Sequence, residues 1–259
     1  MKVIFFGATK FSEEVLNHLV ENGILPSCLF TIPQEFSISY SKSKVKNYNY
    51  SNLEVIANKN NIPCYYIESS EFGKKITDYF DIINDIKPDV ILIMGWYYMI
   101  PKKIRDIATY GAWGIHGSML PNYAGGAPLV WAIINGEEET GVSLFRLDDG
   151  VDDGDIIAQE KIKIEEDDSI KEVYQKVSNV SKEILLNALQ NSLKITFTPQ
   201  DKTLIKVFPQ RKPDDGELDL TKPAKELYNF IRAQSSPYPG AFIKTSDGKK
   251  LIIEKARIE

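Results

Sequence analysis

The chain is poor in cysteine, histidine and basic excess, and it has no long apolar run. Its two cysteines, Cys28 and Cys64, stand far apart and form no C-x-x-C pair. That excludes a disulfide framework or a thioredoxin-like motif and fits a reducing compartment. No apolar stretch approaches membrane-spanning length, and the N-terminus opens on a strand-like run with no signal peptide. A cytoplasmic protein with no membrane partner is expected. Lys and Arg total 31 against 36 Asp and Glu, a net charge of −5. A protein that neutralises many phosphates carries a basic surface, so no nucleic-acid partner is expected. The first strand-to-helix turn, GATKF, holds one glycine rather than G-x-G-x-x-G. A dinucleotide pyrophosphate needs that close backbone approach, so a nicotinamide dehydrogenase is excluded. The Asp-rich segment Leu147 to Asp155 lacks EF-hand spacing, and no metal is expected.

What is present is an ordinary globular composition: 259 residues, 43% hydrophobic and 26% charged. That length carries one large domain and a small one. Lys2 to Phe6 reads as a buried parallel strand, followed by a helix capped by Ser12 with Val15, Leu16, Leu19 and Val20 inward. Leu25 to Ile32, Cys64 to Ile67, Pro88 to Met94, Ala112 to Ile115, Gly141 to Leu147 and Ile156 to Ile164 read as further strands. Helices are expected over Leu53 to Asn60, Lys74 to Asn84, Pro128 to Ile134 and Ser169 to Leu193. Pro33 to Tyr50 reads as a long polar loop, either a binding loop or a solvated one. Thr221 is expected to cap a late helix, and Ala241 to Arg257 reads as a hairpin around Ser246, Asp247 and Gly248.

The chemistry concentrates in two stretches, GAWGIHGSMLPNYAGGAP at Gly111 to Pro128 and LDDGVDDGD at Leu147 to Asp155. His116 lies at a strand end before a Pro/Gly-rich loop, where an imidazole can give or take a proton near neutral pH. Asp152 follows 36 residues later, a separation natural for neighbouring strand ends in one sheet. By composition alone, His116 is equally a satisfied histidine beside an ordinary turn, and the Asp loop a turn. His18 reads as a surface or packed residue. Trp96 and its aromatic neighbours read either as core or as an apolar slot. Lys10, at a helix start, reads either as a phosphate contact or as a solvated residue.

Together, GIHGSMLPNYAGGAP and LDDGVDDGD resemble the folate-dependent formyltransferases, and most similar are the nucleotide-sugar N-formyltransferases. MKVIFFGATKF resembles that family's opening turn, and RKPDDGELDLTKPAKELYNFIRAQSSPYPGAF its later domain. The resemblance implies an α/β fold with a Rossmann-like, mostly parallel open sheet over residues 1–205. A small C-terminal α/β or β-hairpin domain would follow over 206–259. It implies His116 and Asp152 as catalytic residues. Gly95, Trp96, Tyr98, Met99, Ile100, Asp148, Asp149, Gly150 and Val151 would border the pterin of 10-formyltetrahydrofolate, the co-substrate. Thr9, Lys10, Gln210 and Arg211 would contact a nucleotide-linked amino sugar, a dTDP-linked 4-amino-4,6-dideoxyhexose of surface polysaccharide (O-antigen). A homodimer is implied as well. Methionyl-tRNA formyltransferase is the alternative enzyme, but its C-terminal barrel has no room here. A non-catalytic binding homologue is a third reading.

Two positions depart from the pattern. Gly114 stands where the family places an Asn, and Ala124 where many relatives have Arg. Removing an oxyanion donor costs roughly 100- to 1,000-fold in rate. Three outcomes are open: a backbone N–H or Ser118 fills the place, the enzyme is slow, or the chain binds ligands without catalysing transfer.

Overall fold

In a computed structural model, residues 1–38, 43–68, 73–191 and 194–259 are described. Residues 39–42 of the expected polar loop, and Leu193 at the expected helix end, lie outside them. In chain order the first elements are β1 (Val3–Gly7), α1 (Lys10–Glu21), β2 (Cys28–Thr31), β3 (Glu35–Phe36), β4 (Val45–Lys46), α2 (Glu54–Lys59) and β5 (Cys64–Tyr66). They are followed by α3 (Phe80–Ile86), β6 (Val90–Met94), α4 (Lys102–Arg105), β7 (Ala112–His116), β8 (Ala124–Gly125), α5 (Pro128–Ile134), β9 (Glu139–Arg146) and β10 (Ile156–Lys163). The chain ends with α6 (Ile170–Gln190), β11 (Val207–Phe208), α7 (Ala224–Ala233), β12 (Ala241–Lys244) and β13 (Lys250–Ile253).

Seven strands share one sheet, in the order β10-β9-β7-β6-β1-β2-β5. The five from β7 to β5 pair in parallel throughout, so the fold is mixed α/β with a mostly parallel sheet. The chain forms two compact units that cut across its linear order. One holds Met1–Ile115, Leu144–Asp149 and Ser181–Phe197. The other holds His116–Ser143, Gly150–Val180 and Thr198–Glu259.

In the first unit the apolar runs of β1, β2 and β6 are buried on both faces, as parallel strands under helices must be. Phe6 stacks on Phe30 with centroids 4.5 Å apart, and Trp96 meets Phe6 edge-on at 5.3 Å. Helix α1 buries Val15, Leu16 and Leu19. Its N-cap is Thr9, not Ser12: the Ser12 N–H donates to Thr9 Oγ1 while Ser12 Oγ accepts from the Thr9 N–H, a reciprocal capping box. Ser12 sits one turn inside and also donates to the Met94 carbonyl at 2.5 Å, which ties α1 to the end of β6.

Several segments differ from the sequence expectation. Strand β2 begins at Cys28 rather than Leu25, because Pro26 offers the ladder no donor. The polar stretch after Pro33 contains the antiparallel pair β3–β4, and its Asn47 is buried. Asn47 donates to the Ala8 carbonyl at 2.9 Å and accepts from the Tyr97 hydroxyl at 2.9 Å, so this stretch is partly built into the first unit. The expected helix from Lys74 starts as a 3₁₀ turn over Ile76–Tyr79 before α3.

In the second unit β11 pairs in parallel with β8. Thr221 does not cap α7; its hydroxyl donates to Asp219 and Pro223 holds the cap position. The hairpin β12–β13 forms as expected.

Ser12 joins three backbone groups inside the first unit. Replacing it with Ala leaves the Met94 carbonyl and two N–H groups short of a buried partner. Urea unfolding should show a loss of about 1–3 kcal/mol; an unchanged midpoint would mean the bonds contribute nothing there.

Candidate active site

Parallel α/β sheets bind ligands where neighbouring connections leave in opposite directions. In the first unit β2 and β6 flank β1 on opposite sides, so that point lies at the ends of β1 and β6. Thr9, Lys10 and Gly95 gather there. Gly95 has φ +60, and a Cβ on it would stand 2.1 Å from Thr9 Oγ1, so no other residue fits without moving the cap. The Thr9 side chain is buried in that cap, whereas Lys10 is exposed.

The aromatics after Gly95 are anchored individually. Tyr97 donates to Asn47, and Tyr98 donates to the Ser37 carbonyl at 2.9 Å. Ile100 is buried and Met99 is 82% exposed. The buried Trp96 indole N–H has no hydrogen-bond partner among the described residues. An orphan donor beside a glycine backbone fits a flat heterocycle that brings its own acceptors. Asp148 and Asp149 also belong to this unit, and Asp149 is paired with Arg105.

Gly150 and Val151 belong to the second unit, where the Asp loop meets the histidine. Strand β7 delivers His116 at its last position, with its side chain 10% exposed. His116 Nε2 lies 2.7 Å from the Tyr123 carbonyl, and Nδ1 lies 3.5 Å from Asp152 Oδ2. A carbonyl can only accept, so Nε2 carries the hydrogen. In the neutral ring Nδ1 is therefore the basic nitrogen, and it faces the carboxylate. The same Oδ2 accepts from the Gly125 N–H at 2.8 Å. Asp152 has φ +51, a left-handed conformation that Asp tolerates. Gln200 holds that turn, donating to the carbonyls of Asp152 at 2.8 Å and Gly154 at 2.7 Å.

Between the two partners of the pair runs Tyr123-Ala124-Gly125. Tyr123 has φ +56, which costs an ordinary residue roughly 1–2 kcal/mol. Its hydroxyl donates to Glu137 at 2.6 Å and accepts from Asn135 at 3.1 Å. Burial, then the bond to Glu137, push the phenol up to about 12, so it stays a donor across the physiological range.

Gln210 and Arg211 lie in this unit and line a pocket of about 80 Å³ with Gln234 and Tyr238. The Arg211 guanidinium sits 4.9 Å from the Trp131 ring and 5.4 Å from the Phe230 ring, and it donates to Gln234 at 2.9 Å. Burial lowers its pKa.

Two further sequence expectations are altered. Ser118 is 1% exposed and donates to the Asn122 carbonyl at 2.6 Å, so its proton is already placed and it is not a replacement oxyanion donor. At Gly114 a Cβ would stand 3.1 Å from Leu147 Cδ2 and 3.3 Å from Phe145 Cε1. A larger residue there requires those two side chains to give by a few tenths of an ångström. Tyr123, Gly125 and Gln200 were not singled out from the sequence. An aromatic before Ala-Gly-Gly carries no signal for a left-handed backbone, and Gln200 sits in no motif.

Comparison with known proteins agrees with this architecture. Residues 1–189 match the formyl transferase family and residues 211–259 its C-terminal domain, so the chain belongs to the formyl transferase family. It is 37% identical over 211 residues to the bifunctional polymyxin resistance protein ArnA of Wigglesworthia glossinidia brevipalpis, covering 81% of this chain and 32% of that protein. The chain thus spans about a third of that relative's length. It is 29% identical over 258 residues to a methionyl-tRNA formyltransferase of Thermodesulfovibrio yellowstonii, covering 99% and 80%. A sugar N-formyltransferase from Shewanella superposes with a TM-score of 0.71 at 17% identity, covering 100% of this chain and 99% of that one. The N-formyltransferase of Helicobacter canadensis, solved with folinic acid and dTDP-3-aminofucose, gives 0.64 at 20% identity over 90% and 80%. These two likenesses are likenesses of fold.

The packing around Gly114 makes a specific prediction. Gly114→Asn alone should lower stability by about 1–3 kcal/mol through overpacking. Adding Leu147→Ala should recover part of it, as read by urea unfolding. A single variant as stable as the parent would show that the site has room.

Proposed function

We propose that this chain transfers the formyl group of 10-formyltetrahydrofolate to the amine of a nucleotide-linked sugar. The substrate we favour is a dTDP-linked 4-amino-4,6-dideoxyhexose for surface polysaccharide. The observation that carries the transfer chemistry is the pairing of His116 Nδ1 with an Asp152 carboxylate fixed by a backbone N–H. The sugar rests on the sugar N-formyltransferase fold neighbours and on the net charge of −5. The two family matches, to residues 1–189 and 211–259, support a catalytic domain over residues 1–205 and a small C-terminal domain over 206–259. The two isolated cysteines support action in the cytoplasm, and the family resemblance supports a homodimer. Among the described residues no helix is long and apolar enough to cross a membrane.

When bound, 10-formyltetrahydrofolate supplies the formyl carbon. Gly95, Trp96, Tyr98 and Ile100, with Asp148 of the same unit, would hold its pterin. His116 takes the proton of the attacking amine at Nδ1, while Nε2 keeps its hydrogen on the Tyr123 carbonyl. Asp152 stabilises the resulting imidazolium, and the same nitrogen returns the proton to the departing amine. Lys10, Gln210 and Arg211 are the candidate nucleotide-sugar contacts. Thr9 is retained there for its cap, which holds Lys10 in place.

Methionyl-tRNA formyltransferase is the second reading, because such enzymes match 99% of this chain at 29% identity. It requires binding to charged tRNA that weakens steeply with salt.

Incubation with the formyl donor and a panel of nucleotide amino sugars should give a product heavier by one carbonyl in mass spectrometry. Formylation of methionyl-tRNA with none of the sugars would establish the second reading instead. His116→Asn should slow transfer on the order of 100- to 10,000-fold; transfer at the parental rate would remove His116 from the mechanism.

A further inference from the structure

Both members of the His116–Asp152 pair are held by one short segment. The Tyr123 carbonyl fixes His116 Nε2, and the Gly125 N–H fixes Asp152 Oδ2. What holds that segment comes from far along the chain. Ala124 and Gly125 pair with Val207 and Phe208, and the Gly126 N–H donates to the Phe208 carbonyl at 2.8 Å. The Phe208 ring stacks on the Tyr123 ring, with centroids 4.7 Å apart and planes 26° apart, and is backed by Trp131 at 5.7 Å. A Cβ at Gly125 would meet the Phe208 carbonyl oxygen at 2.5 Å, so the approach is closed to any larger residue. Phe208 lies between the two stretches that match the family, 1–189 and 211–259.

We propose that Phe208 and Tyr123 are positioning residues that set the tautomer of His116, and through it the nitrogen that accepts the substrate proton. This rests on the formyl-transfer reading for its consequence in rate, but not for its structural content. The chemistry follows from the acceptor. With the Tyr123 carbonyl in place, the hydrogen stays on Nε2 and Nδ1 is basic. When that carbonyl moves away, the ring is released to place its hydrogen on Nδ1, bonded to Asp152, and the basic nitrogen turns from the carboxylate. Tyr123 holds its left-handed backbone against local preference, so its side-chain contacts decide whether the carbonyl points at the imidazole. The stack on Phe208 and the hydroxyl bonds to Glu137 and Asn135 are those contacts.

The test is ¹⁵N NMR of histidine-labelled full-length protein carrying His18→Gln, so that His116 alone reports. The parent should show Nε2 protonated and Nδ1 as a bare acceptor when neutral. Phe208→Ala should convert this to a mixture of tautomers and lower kcat at least tenfold with little change in KM. It should also displace the acidic limb of the kcat–pH profile, while Phe208→Tyr restores all three. A folded Phe208→Ala protein that keeps a single Nε2–H tautomer and the parental profile would overturn the proposal. If Phe208→Ala does not fold, Tyr123→Phe decides, since it keeps the stack and loses both hydroxyl contacts. A mixture of tautomers there supports the proposal, and an unchanged spectrum and pH profile overturn it. The tautomer is read without substrate. A tautomer shift in a protein that formylates no amino sugar therefore refutes the function while leaving the positioning intact.

Discussion

A single backbone N–H, that of Gly125, holds the Asp152 carboxylate at 2.8 Å, and the arrangement of the second unit's site follows from it. With one carboxylate oxygen pinned there, the same oxygen lies 3.5 Å from the imidazole nitrogen of His116. A hydrogen bond from a backbone amide to a carboxylate is charge-assisted, and it costs no side-chain entropy at the donor. The acceptor is fixed as well, because Gln200 grips the carbonyls on either side of the left-handed Asp152 turn. The pair therefore depends on two loops whose backbones are each held in a strained shape by distant residues. Strain of this kind persists where the surroundings over-determine it, and it concentrates at functional sites.

The departure at Gly114 reads differently once the neighbours are known. Leu147 and Phe145 pack against the glycine, and a side chain at that position requires both to give by a few tenths of an ångström. Ser118, four residues on, donates to the Asn122 carbonyl. On the loop side the His116–Asp152 pair is bordered by backbone polarity, the Tyr123 carbonyl and the Gly125 N–H.

Much of the fold was legible because its strands are continuous apolar runs and its helices have clear periodicity. The strands β1, β6, β7, β9 and β10, the long helix α6 and the terminal hairpin lie where the pattern puts them. Errors fell where local chemistry has two outlets. Ser12 looks like a cap residue, but Thr9 three positions earlier takes that role and leaves Ser12 to bond β6. Thr221 is caught by Asp219 before it can cap anything. The residues after Pro33 are polar in composition, yet Asn47 is buried by long-range bonds that periodicity cannot register. At the site, His116 and Asp152 were readable as motif residues. Tyr123, Phe208 and Gln200 were not, because what they contribute is a carbonyl, a ring face and a clasp on a distant turn.

The central claim is that His116 and Asp152 act as one unit, and a double-mutant cycle tests it most directly. Formyl transfer would be compared in the parent, His116→Asn, Asp152→Asn and the double variant, at saturating donor and acceptor. Groups that act together lose their function together, so the account predicts a double variant no slower than the slower single one. If instead the two losses multiply, the carboxylate and the imidazole work independently and the account is contradicted.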